Sequence, residues 1–554
     1  MFNKYNTEDK FFKKINTIRY KRNFLLIFFL ISLLYILSLL IFNPYNNDLS
    51  FHIYRLNSIA TNMQNGIWLS APQADNICGW GYQLTVFYPS AFMYPFAFLT
   101  AFFNLNPQIS FIIMVFTLNF ISCILSYIAM YKIQKDKRTA FYFAILCGLN
   151  PIKIFNLIFY GFAGSFFASC FLPVAILGVY DLFKNNNYKM LIFGMTCLLY
   201  NHLITFLLMV IFIIIYSIFN IKNILNKKSI ILNLFKAGLI SFILSLGFLV
   251  PFIYYYFSDT FKFSFNKTQK DIETIISFNI NPIIAFIFQI FLILGLYLFN
   301  KILKNKFKNN ILSNSICITI WGLIALTDLF PWNLIQNIPF IGNIQMSFRI
   351  MEIIFIFIIF IFLDMILAIK DWNIVIVSLL ISIIFLSTTI MTFSSNNFYL
   401  ENPAYAYNNY ENKKENTFFD IIAGEYLPLE FSINNKDINK INIDDLINEK
   451  PIFSNNTQYK ISRNNLKTTL ILKTNNKTDV ILPIVYYKGY RAFLNKKEVK
   501  IEELDGKISI KNISSGTLII EYRIQWFEYF SAFISISFLI LILIKQLLKY
   551  KRRD

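Results

Sequence analysis

Long apolar runs separated by short basic clusters make up most of this chain, and a different rhythm replaces them near its C-terminal end. Runs that reach the roughly 20 residues needed to cross a bilayer core fall at about 23–42, 109–131, 139–157, 163–183, 189–200, 203–220, 229–256, 278–300, 310–327, 348–369, 372–394 and 526–548. The stretch 189–220 exceeds one span at about 1.5 Å per residue. Two short helices meeting at Asn201-His202 are therefore expected there. The segment 86–104 is apolar but carries Pro89 and Pro95. It reads as an interfacial or re-entrant helix, because counting it as a span would move the basic cluster Lys132–Arg138 to the other side.

From residue 395 to 525 the apolar runs shorten and Asn, Lys, Asp and Glu become frequent. Thr468–Leu472 and Val480–Val485 read as strands, with turns at Asn476-Lys477 and Asp505-Gly506. The fold class expected is an all-α polytopic membrane protein of about 12 transmembrane helices, with a small external β-sandwich-like domain before the last helix. In this organisation 1–394 is a transmembrane domain whose external first loop is 43–108. Residues 395–525 form the β domain, and 526–554 the final helix with a basic tail.

Composition sharpens this reading. The chain is 56% hydrophobic and only 15% charged, whereas soluble domains carry about a quarter charged residues. The net charge of +20 does not indicate nucleic acid, since the basic residues cluster between spans as cytoplasmic loops do. Lys132–Arg138, Ile221–Lys228, Lys301–Lys308 and Lys549–Arg553 all fall on one side in this topology. Both termini are then cytoplasmic, Lys306 is inside and Lys473 outside. The basic N-terminus and its apolar run lack a small-residue cleavage site, so an uncleaved first span is expected. The six cysteines are scattered and show no disulfide framework or metal-ligand spacing.

Candidate chemistry gathers at the expected outer ends of the spans. Asp48, His52 and Arg55 lie at i, i+4 and i+7, one polar stripe on an amphipathic helix. Leu49, Ile53, Leu56, Ala60 and Met63 form its apolar stripe. Chemistry on a lipid-linked substrate and a merely solvated face are both open readings, and Asp48 also suits a helix N-terminus. His202 lies between two apolar runs, where an ionisable group is a functional candidate; a neutral histidine bonded between helices is the plainer reading. Asp328 ends one span and Gln345 to Arg349 begin the next. The planar guanidinium of Arg349 suits a lipid phosphate, and headgroup anchoring is the plainer reading. Gly79-Trp80-Gly81-Tyr82 and Phe87-Tyr88-Pro89 suit an aromatic belt or a sugar-stacking platform.

Taken in order, these motifs resemble YfhO-like membrane proteins of the GT-C superfamily of glycosyltransferases. The resemblance is carried by Asp48-Leu49-Ser50-Phe51-His52-Ile53-Tyr54-Arg55, Gly79–Tyr82, Phe87–Pro89, Asn201–Thr205, Thr327–Trp332, Ile344–Arg349, Gly424-Glu425-Tyr426-Leu427-Pro428 and Leu482–Tyr490. It implies transfer of a sugar from a polyprenyl-phosphate carrier to an extracytoplasmic acceptor, such as lipoteichoic acid, another envelope polymer or a glycolipid. It places the catalytic carboxylate on Asp48. His52, Arg55, His202, Asp328, Gln345, Arg349, Glu425 and Tyr426 are the substrate-binding candidates. A divalent cation could assist, but no carboxylate cluster names its ligands. Two positions depart from the family pattern. Met346-Ser347-Phe348-Arg349 replaces a Phe-Pro-Trp-Arg stretch, and Ser165 stands where relatives often carry a glutamate. A flippase for a lipid-linked precursor and an inactive polymer-binding scaffold are the alternatives.

Overall fold

The computed structural model describes residues 18–42, 47–74, 76–77, 79–159, 161–258, 351–368, 426–428, 431–433, 436–437 and 449–551, with ten further positions between 315 and 350. The expected spans 278–300 and 372–394, most of 310–327, and the candidates Asp328, Gln345, Glu425 and Lys306 lie outside the described residues. Among the described residues five helices are long and apolar enough to cross a membrane: Asn23–Leu40, Pro107–Gln134, Lys137–Ile158, Ala163–Asn185 and Trp526–Leu548. A broken pair, Ser229–Leu244 and Leu246–Ser258, makes a sixth if counted as one span. The chain divides into two compact units. One comprises Met1–Leu49, Ile112–Ser241 and Phe265–Pro403; the other comprises Ser50–Phe111, Phe242–Ser264 and Ala404–Asp554.

In the first unit the helix starts are written in the sequence. Asp136 caps Lys137–Gly148, its carboxylate accepting from the Thr139 N–H at 2.8 Å. Lys132 pairs with the buried Asp181 at 2.8 Å, tying the helix Pro107–Gln134 to Leu172–Asn185. Gly194 sits where an added Cβ would lie 2.6 Å from Ala175 Cα, so two helices approach closely there, as small residues permit. The stretch 189–220 does break as expected: Lys189–Leu199 ends, Tyr200 and Asn201 turn, and Leu203–Phe219 begins. His202 is the N-cap of that second helix.

The expected span 139–157 is less regular than its apolar pattern suggests. Helix Lys137–Gly148 stops, Asn150 caps a short turn Pro151–Ile154, and a π-helical turn Phe155–Phe159 follows. Proline at the first position of that turn costs nothing, since its N–H would be unpaired anyway. Lys153 in the first of these turns and Asn156 in the second are both buried.

The expected span 229–256 consists of two helices bent by 76° at Ser245, a broken span or a re-entrant pair. Ser535 of the last helix accounts for the tolerated break. Its Oγ accepts from the Gly247 N–H at 2.9 Å and donates to the Ile243 carbonyl at 3.1 Å, so freed backbone groups are re-satisfied.

Among the described residues the β region of the second unit has eleven short strands: β1 Ser432–Ile433, β2 Lys436–Asp437, β3 Ile452–Phe453, β4 Gln458–Asn464, β5 Lys467–Lys473, β6 Thr478–Val485, β7 Tyr490–Leu494, β8 Lys497–Val499, β9 Glu502–Leu504, β10 Lys507–Ile513 and β11 Gly516–Tyr522. β1 and β2 pair alone, while the rest form sheets ordered β3-β6-β10-β9 and β4-β5-β11-β7-β8. Alternate residues Leu470 and Leu472, Val480, Leu482 and Ile484, and Leu518 and Ile520 are buried in one core shared by the two sheets, the period of two that a sandwich requires. The Asp505-Gly506 turn joins β9 to β10 with φ values of 51° and 70°, the left-handed pair of a tight hairpin.

Trp80, Tyr82, Leu84 and Phe87 belong to this same core, and the Val485 N–H donates to the Trp80 carbonyl at 3.0 Å. Both expectations for these aromatics are thus corrected. They are neither a belt nor an open platform, because the β sandwich buries them. Gly489 closes the core with φ +121°, and a Cβ there would meet the Tyr522 ring at 2.5 Å. Gly489→Ala should therefore destabilise this unit by about 1–3 kcal/mol through overpacking alone, with backbone strain added. Thermal unfolding followed by near-UV circular dichroism checks this.

Candidate functional site

Among the described residues, two buried polar clusters contain residues picked out from the sequence, one around Glu352 in the first unit and one around Arg55 in the second. The first is built where three apolar helices begin or break. His202 caps Leu203–Phe219, and its Nδ1 lies 2.8 Å from Thr205 Oγ1. Thr205 Oγ1 lies 2.8 Å from Glu352 Oε2, and Asn156 Nδ2 donates to Glu352 Oε1 at 3.2 Å. Ser165 also donates to the Glu352 carboxyl, and the Arg349 charge faces it. Glu352 is 1% exposed, in the first turn of Met351–Ala368, where a carboxylate favours the positive end of the helix. Arg349, also buried, sits in the preceding turn Ser347–Ile350 with its guanidinium 5.5 Å from the Phe162 ring centre.

The hydroxyl of Thr205 has one proton and two neighbours that can take it. Thr205 Oγ1 donates to Glu352 Oε2, and His202 Nδ1, as the helix cap, accepts the Thr205 N–H at 3.4 Å. An ionisable group buried at the start of an apolar helix is a candidate for a functional site.

Lys153 is a separate feature of the same unit. It is fully buried and donates to Ser122 Oγ at 2.8 Å and Asn119 Oδ1 at 3.3 Å. Neither partner is charged.

The second cluster belongs to the helix Asn47–Gln64. Asp48 is in its first turn and half-buried. Arg55 is 2% exposed. Its Nη1 donates to His52 Nδ1 at 3.1 Å, and its Nη2 donates to the Pro89 carbonyl at 2.5 Å and to Ser90 Oγ at 2.9 Å. The guanidinium lies 4.2 Å from the Tyr88 ring centre. Because arginine cannot accept, the 3.1 Å contact makes His52 Nδ1 the acceptor and places the neutral ring's proton on Nε2. Burial lowers the Arg55 pKa to about 10. Arg55 is thus a clamp between the helix and the Tyr88–Ser90 turn, a role its sequence position did not reveal. Arg55→Met, which keeps the apolar stem, should cost about 1–3 kcal/mol by leaving buried acceptors unpaired. Chemical denaturation of the detergent-solubilised protein reads that loss. Tyr426 lies in this unit too, its ring stacked on Phe87 at 5.1 Å.

The structure therefore gathers His202 and Arg349 around Glu352, and His52 with Arg55 on their own helix. The sequence reading missed Glu352, Asn156, Thr205 and Lys153. Glu352 was visible as the one acidic residue between Arg349 and Asp364 in an otherwise apolar run. Lys153 was visible as a lone charge within 139–157. Among the described residues no group of three or more His, Cys, Asp or Glu side chains is placed to hold a metal ion. Comparison with family models, curated proteins and solved structures returns no match.

Proposed function

We propose that this chain is a membrane glycosyltransferase of about twelve spans. It transfers a sugar from a polyprenyl-phosphate carrier to an extracytoplasmic acceptor, an envelope polymer such as lipoteichoic acid or a glycolipid. The observation that supports this most is the cluster at Glu352. Arg349 and His202, picked out separately from the sequence, meet there at the starts of two apolar helices. Buried charged and polar groups at a helix end are suited to a phosphate leaving group, because charge stabilisation is strong where water is excluded. Asp48 acts as general base on the acceptor hydroxyl while the anomeric carbon is attacked. Arg349 takes up the charge that develops on the carrier phosphate, and the β sandwich lies on the extracytoplasmic side with both termini inside.

Arg349→Lys should lower transfer by about tenfold or more, since a point charge replaces a fork that binds two oxygens. Turnover equal to wild type would reduce Arg349 to a helix-end anchor. The flippase reading has one observation of its own, the buried Lys153 within an apolar span, because transporters place polar groups along their path. Mass spectrometry of envelope polymers from cells with and without the protein tests the proposal. A polymer that loses one sugar substituent without the protein supports it. Polymers of identical composition would contradict it.

A further inference from the structure

The cluster around Glu352 has capacity left over. Glu352 Oε1 takes the amide N–H of Asn156, which fixes that amide, because the flipped orientation would set two acceptors against each other. Asn156 Oδ1 then points away from the carboxylate. It is buried and, among the described residues, has no hydrogen-bond partner, a costly arrangement unless a donor arrives.

The groups packed on the same segment indicate the donor, for the Phe162 N–H bonds to the Asn156 backbone carbonyl at 2.7 Å. Phe155 and Phe162 are half-buried and flank the buried Phe348, with ring centres 5.8 Å and 6.4 Å from it. Arg349 adds donors on the Phe162 side. Phenyl faces beside a carboxylate-held amide and a guanidinium match a pyranose, which offers hydroxyls on its rim and C–H bonds on its faces. The carrier phosphate is left to Arg349, since an ionised phosphate has no proton to give the amide oxygen and a sugar hydroxyl has one.

The geometry points to this cluster as the recognition site for the hexose carried by the lipid-linked donor, an assignment that rests on the glycosyltransferase reading. Asn156 Oδ1 accepts a sugar hydroxyl, and the Phe155 ring packs on the sugar. Glu352 is a positioning residue that holds Asn156 and Thr205 in place.

The test uses the full-length protein in detergent and titrates farnesyl phosphate and its glucosyl, galactosyl and N-acetylglucosaminyl phosphodiesters, reading each affinity from the thermal shift. Wild type is expected to bind one of the three sugar esters more tightly than farnesyl phosphate. Asn156→Leu and Phe155→Leu should each lower that ester's affinity by about tenfold, the scale of one buried hydrogen bond or contact, and leave farnesyl phosphate binding unchanged. Should Asn156→Leu fail to fold, Phe155→Leu carries the test. Full sugar preference in the folded variants would overturn the site, and so would a wild type that prefers none of the three esters. A wild type that ignores farnesyl phosphate as well would overturn the glycosyltransferase reading itself.

Discussion

Asp48→Asn is expected to lower sugar transfer by about 100-fold or more, the scale of lost base catalysis, while the folded protein is recovered at wild-type yield. Asparagine keeps the size of the side chain and is as favourable as aspartate at a helix start. Asp48 is half-buried in the first turn of Asn47–Gln64, so its replacement leaves no fully buried charge behind. What asparagine cannot do is take a proton from a hydroxyl at neutral pH. Binding of farnesyl phosphate should persist, because Arg349 is untouched. Transfer rate and extractable folded protein, measured side by side, separate a catalytic Asp48 from one that only starts a helix.

Glu352→Ala should act in the opposite way, through stability first. The substitution removes the common acceptor of Asn156, Thr205 and Ser165, and it leaves the buried Arg349 without the carboxylate that faces it. Breaking such a buried set by deleting one partner costs about 3–5 kcal/mol. Glu352→Gln, which still accepts on one oxygen, should cost clearly less. Thermal unfolding of the two variants in the same detergent checks the order. Equal midpoints for alanine, glutamine and wild type would mean that the cluster contributes nothing to the fold.

How far the sequence could be read depended on how local the cause was. The break at Asn201-His202 followed from length and from a polar pair between apolar runs. The β5 and β6 strands and the Asp505-Gly506 hairpin followed from alternation and turn chemistry, which act within a few residues. The break at Ser245 did not, because it rests on Ser535, far along the chain. Trp80 and Tyr82 were expected at a surface because aromatic and glycine residues near spans usually lie there. Their burial depends on β-sandwich residues such as Val485 and Tyr522, which no local pattern connects to them. The candidate site was half legible. His202 and Arg349 announced themselves, but their meeting point, Glu352, was a single charge inside a strongly apolar run. Asn156 lies in a π-helical turn that no apolar pattern announces.

The central claim is that the chain moves a sugar off a lipid carrier. It is tested most directly by reconstituting the purified protein in liposomes that hold a polyprenyl-phosphate-linked sugar and a glycolipid acceptor, and following carrier and acceptor by mass spectrometry. Conversion of the sugar-linked carrier to free polyprenyl phosphate, with the sugar gained by the acceptor and both changes lost in Asp48→Asn, is the result predicted. Recovery of the sugar-linked carrier intact in the opposite leaflet, or turnover that Asp48→Asn leaves unchanged, would contradict it.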